Sequence, residues 1–224
     1  MNIPESWTFK NEQVAQGFDR HVREQLPWYD LVTKAVVHVG RHYIPNNGIV
    51  YDIGASTGNI SRSLASICRD RCAGIIAIEE SESMRNIFIA NKPDCIFEFN
   101  LADALDYQFK SYDFAVCFLT FMFFPVSLRR QWLLNLRSLI KPGGALILVD
   151  KAITPSGYAG TVMRRLAMDW KLTSGTSHED IVKKELSLAG YQRPMDESSL
   201  GLSCMGYKFF QMGEFVGWII ERGE

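Results

Sequence analysis

"VYDIGASTGNI", residues 50 to 60, decides how the chain is read. Its first residues form a short buried strand, and the strand runs into a turn built on Gly54 and Gly58 and then into a helix. Glycine reaches positive φ at no steric cost and leaves backbone bare where a β-carbon would collide. The stretch therefore predicts a strand-turn-helix whose turn either faces a ligand or is simply tight. Its pattern is G-x-S-x-G, with Ser56 adding a small hydroxyl between the glycines. It lacks the third glycine of G-x-G-x-x-G, which argues against a nicotinamide oxidoreductase. A serine nucleophile elbow needs a later acid and then a histidine on loops after strands, and the only later histidine, His178, falls in a helical pattern.

Working outward, the runs IVYDI, AGIIAIE, CIFEF, DFAVCFL and ALILVD between Ile49 and Lys151 alternate with helical patterns over 58–68, 83–91 and 127–140. Strict alternation predicts right-handed crossovers and a doubly wound, mostly parallel α/β sheet. Residues 11–43 carry helical periodicity in two pieces parted at Leu26-Pro27 and predict an N-terminal helical cap. Beyond Lys151, residues 157–190 predict a lid of two helices broken at Ser174-Gly175, and 206–220 two terminal strands around Gly213. The whole, 1–224, is expected to be one domain with its core at 49–151.

Composition narrows the function classes. Apolar residues at 47% and charged residues at 22% are ordinary globular values. A net charge of -1 gives no bulk attraction to phosphates. MNIPESWTFKNEQ has no basic region followed by an apolar run, so no secretory signal is expected. The longest oily stretch, Phe114 to Phe124, is about half of the roughly 20 residues that a membrane span needs. Five cysteines without C-x-x-C spacing predict reduced thiols, a cytoplasmic location and no metal site.

In such a sheet, ligands sit at the carboxyl ends of the strands where their order reverses. The second strand ends in Glu79, placed to accept hydrogen bonds from a ribose. Asp103, just after the third strand, is placed to accept from an exocyclic amine such as that of adenine. A glycine turn and two acidic residues at three successive strand tips mark a nucleoside-shaped site.

Together YDIGASTGNI, IAIEES, NLADAL, DFAVCFL and LRSLIKPGGALILVDK resemble the successive motifs of class I S-adenosylmethionine-dependent methyltransferases over roughly residues 28 to 220. The resemblance implies a Rossmann-like, seven-stranded sheet with a C-terminal antiparallel hairpin, and S-adenosyl-L-methionine as cofactor. Within that family, VAQGFDRHVREQLPWYDLV and FFQMGEFVGWI are similar to the carboxy-S-adenosylmethionine synthase branch, which is connected with tRNA wobble uridine modification. By position the resemblance implies that Tyr29 contacts the methionine end of the cofactor and that Gly54, Ala55 and Ser56 line its backbone. Glu79 and Glu80 then take the ribose and its neighbour, and Asp103 and Ala104 the adenine. Asp52 and Gly58 belong to the same cofactor-binding set, as does Phe118, which stands where the branch has an asparagine. Where the branch has an arginine for the extra carboxylate of its product, this chain has Glu185, which would repel that group; Lys183 or Lys184 substitutes if the register slips.

A sulfonium methyl is already activated, so a general base is optional. The candidates are His178, Tyr158 and Asp169 in or near the lid and His21 in the cap. Phe118-Leu119-Thr120-Phe121 replaces the Asn-Pro-Pro-aromatic segment of nucleic-acid amino-methyltransferases and favours a small-molecule acceptor. Arg129, Arg130, Arg137, Arg164 and Arg165 are expected on solvated helix faces, one of which could touch RNA. Specificity is expected in the loop with Tyr191, Arg193 and Met195. The apolar residues Trp28 and Tyr29 mark either a lid or a homodimer surface.

Overall fold

The computed structural model describes residues 8–154 and 156–222. The first seven residues, which enter the reading of the N-terminus, lie outside them. Two helices come first, α1 (Glu12–Gln25) and α2 (Tyr29–Tyr43). The Asn11 side chain accepts the Gln13 and Val14 amides and so starts α1, satisfying donors that have no partner within the helix. The cap breaks at Leu26-Pro27, as expected.

Strand and helix then alternate through β1 (Ile49–Ile53), α3 (Asn59–Asp70), β2 (Gly74–Glu79), α4 (Glu82–Ala90) and β3 (Phe97–Leu101). Next come β4 (Tyr112–Phe118), α5 (Val126–Ser138) and β5 (Ile140–Lys151). The lid is α6 (Tyr158–Thr173) and α7 (His178–Ser187), followed by the one-turn α8 (Glu197–Leu200), β6 (Gly206–Met212) and β7 (Phe215–Glu221). One seven-stranded sheet results, ordered β3-β2-β1-β4-β5-β7-β6. Strands β1 to β5 are parallel, and β7 lies antiparallel between β5 and β6. The doubly wound sheet and its terminal hairpin are as expected. The order reverses between β1 and β4, which opens a crevice at their carboxyl ends.

The core explains why the central strands read as unbroken apolar runs. Every residue of β4 is buried, as it must be in a parallel strand covered on both faces. On one face Tyr51, Tyr112, Leu133 and Leu148 pack in one cluster; on the other Val36, Leu64, Phe114 and Ile147 pack in a second.

Three expectations are corrected. Helix α5 stops at Ser138, short of the expected 140, and β5 begins at Ile140 and bulges at Lys141–Gly144, where Gly143 takes φ of 78° and the register against β4 shifts between Tyr112 and Phe114. Trp28 and Tyr29 are buried and not on an exposed apolar face; their rings lie 4.9 Å from Phe215 and 5.4 Å from Phe118, so they seat the cap on the sheet. Arg129 is also buried, donating to the carbonyls of Met122, Phe124 and Arg193 at 2.8 to 3.0 Å. It fastens the segment after β4 to the loop before α8. Among the described residues no helix is long and apolar enough to cross a membrane, and no cluster of potential metal ligands is found.

Phe114 fills the centre of the second cluster with no exposed surface. Phe114→Ala is expected to lower the unfolding free energy by about 3–5 kcal/mol, measurable by urea titration.

Candidate active site

The carboxyl ends of the central strands, roofed by α1, α6 and α7, enclose a cavity of about 280 Å³. Its floor is the turn after β1, where Gly54, Ser56 and Gly58 take φ of 70°, 50° and 90°. The Gly54 and Ala55 amides both donate to the Ile78 carbonyl at 2.9 Å, which sutures the turn to β2. A β-carbon on Gly54 would overlap the Thr120 side chain, and one on Gly58 would approach the Phe88 ring to 2.7 Å. The missing β-carbons therefore make room for the protein's own packing as well as for the backbone turn. Gly54, Ala55 and Ser56 line the cavity, and Gly58 does not.

Glu79 is 8% exposed at the tip of β2. Its Oε2 accepts the Ser56 amide at 2.9 Å and its Oε1 the Ser81 amide at 2.8 Å. Burial pushes its carboxyl up to about 6 against the pull of those two amides, and Glu80 and Asp52 add to the rise. Asp103 lines the same cavity from beyond β3, with Oδ1 accepting the Leu105 amide at 2.8 Å. Beside it the Ala104 carbonyl takes the Trp132 indole N–H at 3.0 Å. Glu80 also faces the cavity but is half exposed and 3.4 Å from Lys10. Tyr29 and Phe118 meet edge to face at the opposite end of the turn, and burial pushes the Tyr29 hydroxyl up. Asp52 reaches the cavity wall, yet its Oδ2 accepts the Ser61 amide at 3.0 Å and hydroxyl at 2.6 Å. It braces the start of α3, and burial lifts its carboxyl to about 6.

Of the four base candidates, only His21 lines the cavity; Tyr158, Asp169 and His178 are exposed. Helical spacing gives the reason. The inward face of α6 carries Ala167, Trp170 and Lys171, and that of α7 carries Lys184, Glu185 and Leu188. Asp169 sits off the first face, and His178 opens α7 more than a turn before the second.

At the far end, where Lys151, Lys171, Lys184 and Glu214 converge, sequence reasoning reached Lys184 through the family resemblance and missed the other three. Lys184 Nζ lies 2.6 Å from His21 Nε2. Burial, then Lys171, brings the Lys184 amine down to about 7, and burial, then Lys184, brings His21 down to about 3. Glu185 does line the cavity, but its carboxylate is 2.8 Å from Lys171. The repulsion expected of it toward a second carboxylate is offset there. Lys151, at the end of β5, sits on a readable strand tip and is 3.4 Å from Glu214.

Residues 50–144 match the model of a methyltransferase domain. A carboxy-S-adenosyl-L-methionine synthase of Staphylococcus epidermidis is 30% identical over 222 residues, covering 96% of this chain and 97% of the relative. One of Shewanella sediminis is 25% identical, covering 90% and 86%. Among solved structures, human N-acetylserotonin methyltransferase with bound S-adenosylmethionine superposes with a TM-score of 0.60 at 10% identity, covering 96% of this chain and 58% of the other. A Methanococcus maripaludis protein described as an S-adenosyl-L-methionine-dependent methyltransferase reaches 0.57 at 18% identity, covering 100% and 98%.

A raised Glu79 pKa has two opposite consequences. The stability linked to its protonation is present below the ordinary carboxylate pKa and is lost as pH rises through about 6. Gripping two hydroxyl donors needs the ionised form, so affinity for S-adenosylhomocysteine should fall by up to about tenfold per unit below that pH. Calorimetric titration across pH 5 to 8 checks this: Glu79→Gln should bind weakly with a flat profile.

Proposed function

The chain belongs to the carboxy-S-adenosyl-L-methionine synthase family of S-adenosylmethionine-dependent methyltransferases, and on that premise we propose that its second substrate is a small anionic molecule. S-adenosylmethionine is the cofactor, and the cavity fits it. A buried carboxylate at the tip of β2 meets a ribose, bare backbone at 54–56 meets the methionine portion, and Asp103 stands by the base. When bound, the cofactor supplies a sulfonium whose methyl needs no further activation. The protein's part is to hold, align and keep dry.

Sheet order supports where the second substrate sits. The nucleoside-facing acids project from β2 and β3, to one side of β1, and β4 and β5 lie to the other. There Phe118, Thr120 and Lys151 meet Lys171 and Lys184 from the lid. Lys171 pairs with Glu185 and Lys151 with Glu214, and Lys184, its amine brought down to about 7, adds a partial positive charge beside a neutral His21, so this end is the more positive by contrast with Glu79, Glu80 and Asp103 at the other. That imbalance is the observation that carries the proposal. The roof of α1, α6 and α7 favours a molecule small enough to be enclosed. We also place the enzyme in the cytoplasm, on its odd set of five free cysteines.

A second reading has one observation in its favour: the relatives' name. In it the anion loses carbon dioxide, the carbanion it leaves would take a proton from the cofactor methyl, and the methylene so formed would bond to the carbon dioxide, giving carboxy-S-adenosylmethionine.

Incubation of the protein with S-adenosylmethionine and an anion-exchange-fractionated metabolite extract, followed by mass spectrometry, tests both readings. Turnover is expected only with the retained, anionic fractions. A methyl increment on an acceptor supports the first reading, and a carboxyl increment on the cofactor the second. Turnover only with neutral compounds or with RNA would contradict both. Lys171→Met is expected to raise the KM for the anion about tenfold or more with little change in cofactor affinity, as loss of a charged hydrogen-bond donor implies.

A further inference from the structure

Helix α1 roofs the cavity with the face that carries Phe18, His21, Val22 and Gln25. Its neighbour on the adjacent face, Asp19, does not line the cavity. Its carboxylate turns instead to the floor. Thr57 Oγ1 donates to Asp19 Oδ1 through a very short hydrogen bond, and Asn59 Nδ2 donates to the same oxygen at 2.8 Å. Arg62 approaches Oδ2 at 3.5 Å. All three partners belong to the glycine turn or to the first turn of α3. Arg62 closes the ring, donating to the Thr57 carbonyl at 2.5 Å and to Asn59 Oδ1 at 2.9 Å.

This ring braces backbone that needs bracing. Ser56 holds φ at 50° without being a glycine, a conformation that costs free energy unless the surroundings fix it. Thr57 is buried directly after it, and Asn59 lines the cavity. Elsewhere α1 is held by polar contacts and by apolar packing at two points. Ser81 and Ser83 donate to the Phe9 and Lys10 carbonyls just before it, His21 meets Lys184 at 2.6 Å, and Gln25 donates to Thr176 at 2.6 Å at its far end. Val22 joins the second core cluster, and Val14 a small one with Leu188. Side-chain polar contacts of this kind open more easily than a packed core. Opening them uncovers a molecule held beneath α1.

We propose that Asp19 is a positioning residue that locks the cap to the cofactor turn through Thr57, Asn59 and Arg62, and so sets how long the cofactor stays bound. This rests on the cavity being the S-adenosylmethionine site. It does not depend on which second substrate is used.

The test is stopped-flow release of S-adenosylhomocysteine, followed by the fluorescence of Trp170 in the cavity wall, with thermal melts in parallel. Asp19→Ala removes hydrogen bonds to a charged acceptor that is partly solvated, so release should accelerate by about 10- to 100-fold. Thr57→Val should reproduce much of the increase. The double variant should add little to Asp19→Ala, because the Thr57 contact is already lost in that variant. Asp19→Asn keeps an acceptor for Thr57 but sets an amide against Arg62, and it should fall between wild type and Asp19→Ala; it carries the test if the alanine variant does not fold. A merely structural role would lower the melting temperature and leave the release rate alone. Release rates within twofold of wild type in Asp19→Ala or Asp19→Asn, or additive effects in the double variant, would overturn the proposal. Failure of the wild-type protein to bind S-adenosylhomocysteine would overturn the assignment of the cavity instead.

Discussion

The site depends on one carboxylate held between two loops. Glu79 ends β2, and its two oxygens accept the Ser56 amide from the turn after β1 and the Ser81 amide at the start of α4. A carboxylate has about four acceptor positions, so two amides leave capacity for a pair of hydroxyls. A residue of the cavity wall thus also fixes the loops that shape the cavity. Burial makes the arrangement costly to ionise, and the amides lower that cost without removing it. On the proposed reading, a ribose would donate two more hydrogen bonds to it.

From that point the cavity divides by charge along the sheet. Glu79, Glu80 and Asp103 stand on the β2 and β3 side; Lys151, Lys171 and Lys184 stand toward β5 and the lid. The glycine turn and the Tyr29–Phe118 contact lie between them. A cationic sulfur seated near the middle would have acids on one hand and a compartment suited to an anion on the other. The reversal of strand order between β1 and β4 produces this division, since it sends successive crossovers to opposite sides of the crevice.

The sheet was legible because each strand announces itself by a short β-branched or aromatic run ended by a glycine, an acid or a turn. The same local grammar exposed the acidic side of the cavity. Glu79 closes AGIIAIE and Asp103 closes its own run, so each stands at a tip whatever the packing. The opposite side was legible only in part: the family resemblance pointed to Lys184 and Glu185, but Lys171 is a lysine on a lid helix, and nothing local separates it from a solvated face until α6 is folded over the strands. His178, Tyr158 and Asp169 show the reverse: their chemistry suits catalysis, but the helical phase turns them outward. Gly54 was recognised for its freedom at φ. That its missing β-carbon also makes room for Thr120 required the fold. Arg129 shows how a charge cluster read from sequence misleads, because its guanidinium is buried among carbonyls.

The most direct measurement compares the binding of S-adenosylhomocysteine with that of its 2′,3′-dideoxyribose analogue at pH 7.5. If Glu79 holds both hydroxyls in a buried site, losing two hydrogen bonds to a charged acceptor should weaken binding by at least about a hundredfold. Equal affinities for the two compounds would show that the carboxylate serves the loops alone, and the nucleoside assignment of this end of the cavity would be wrong.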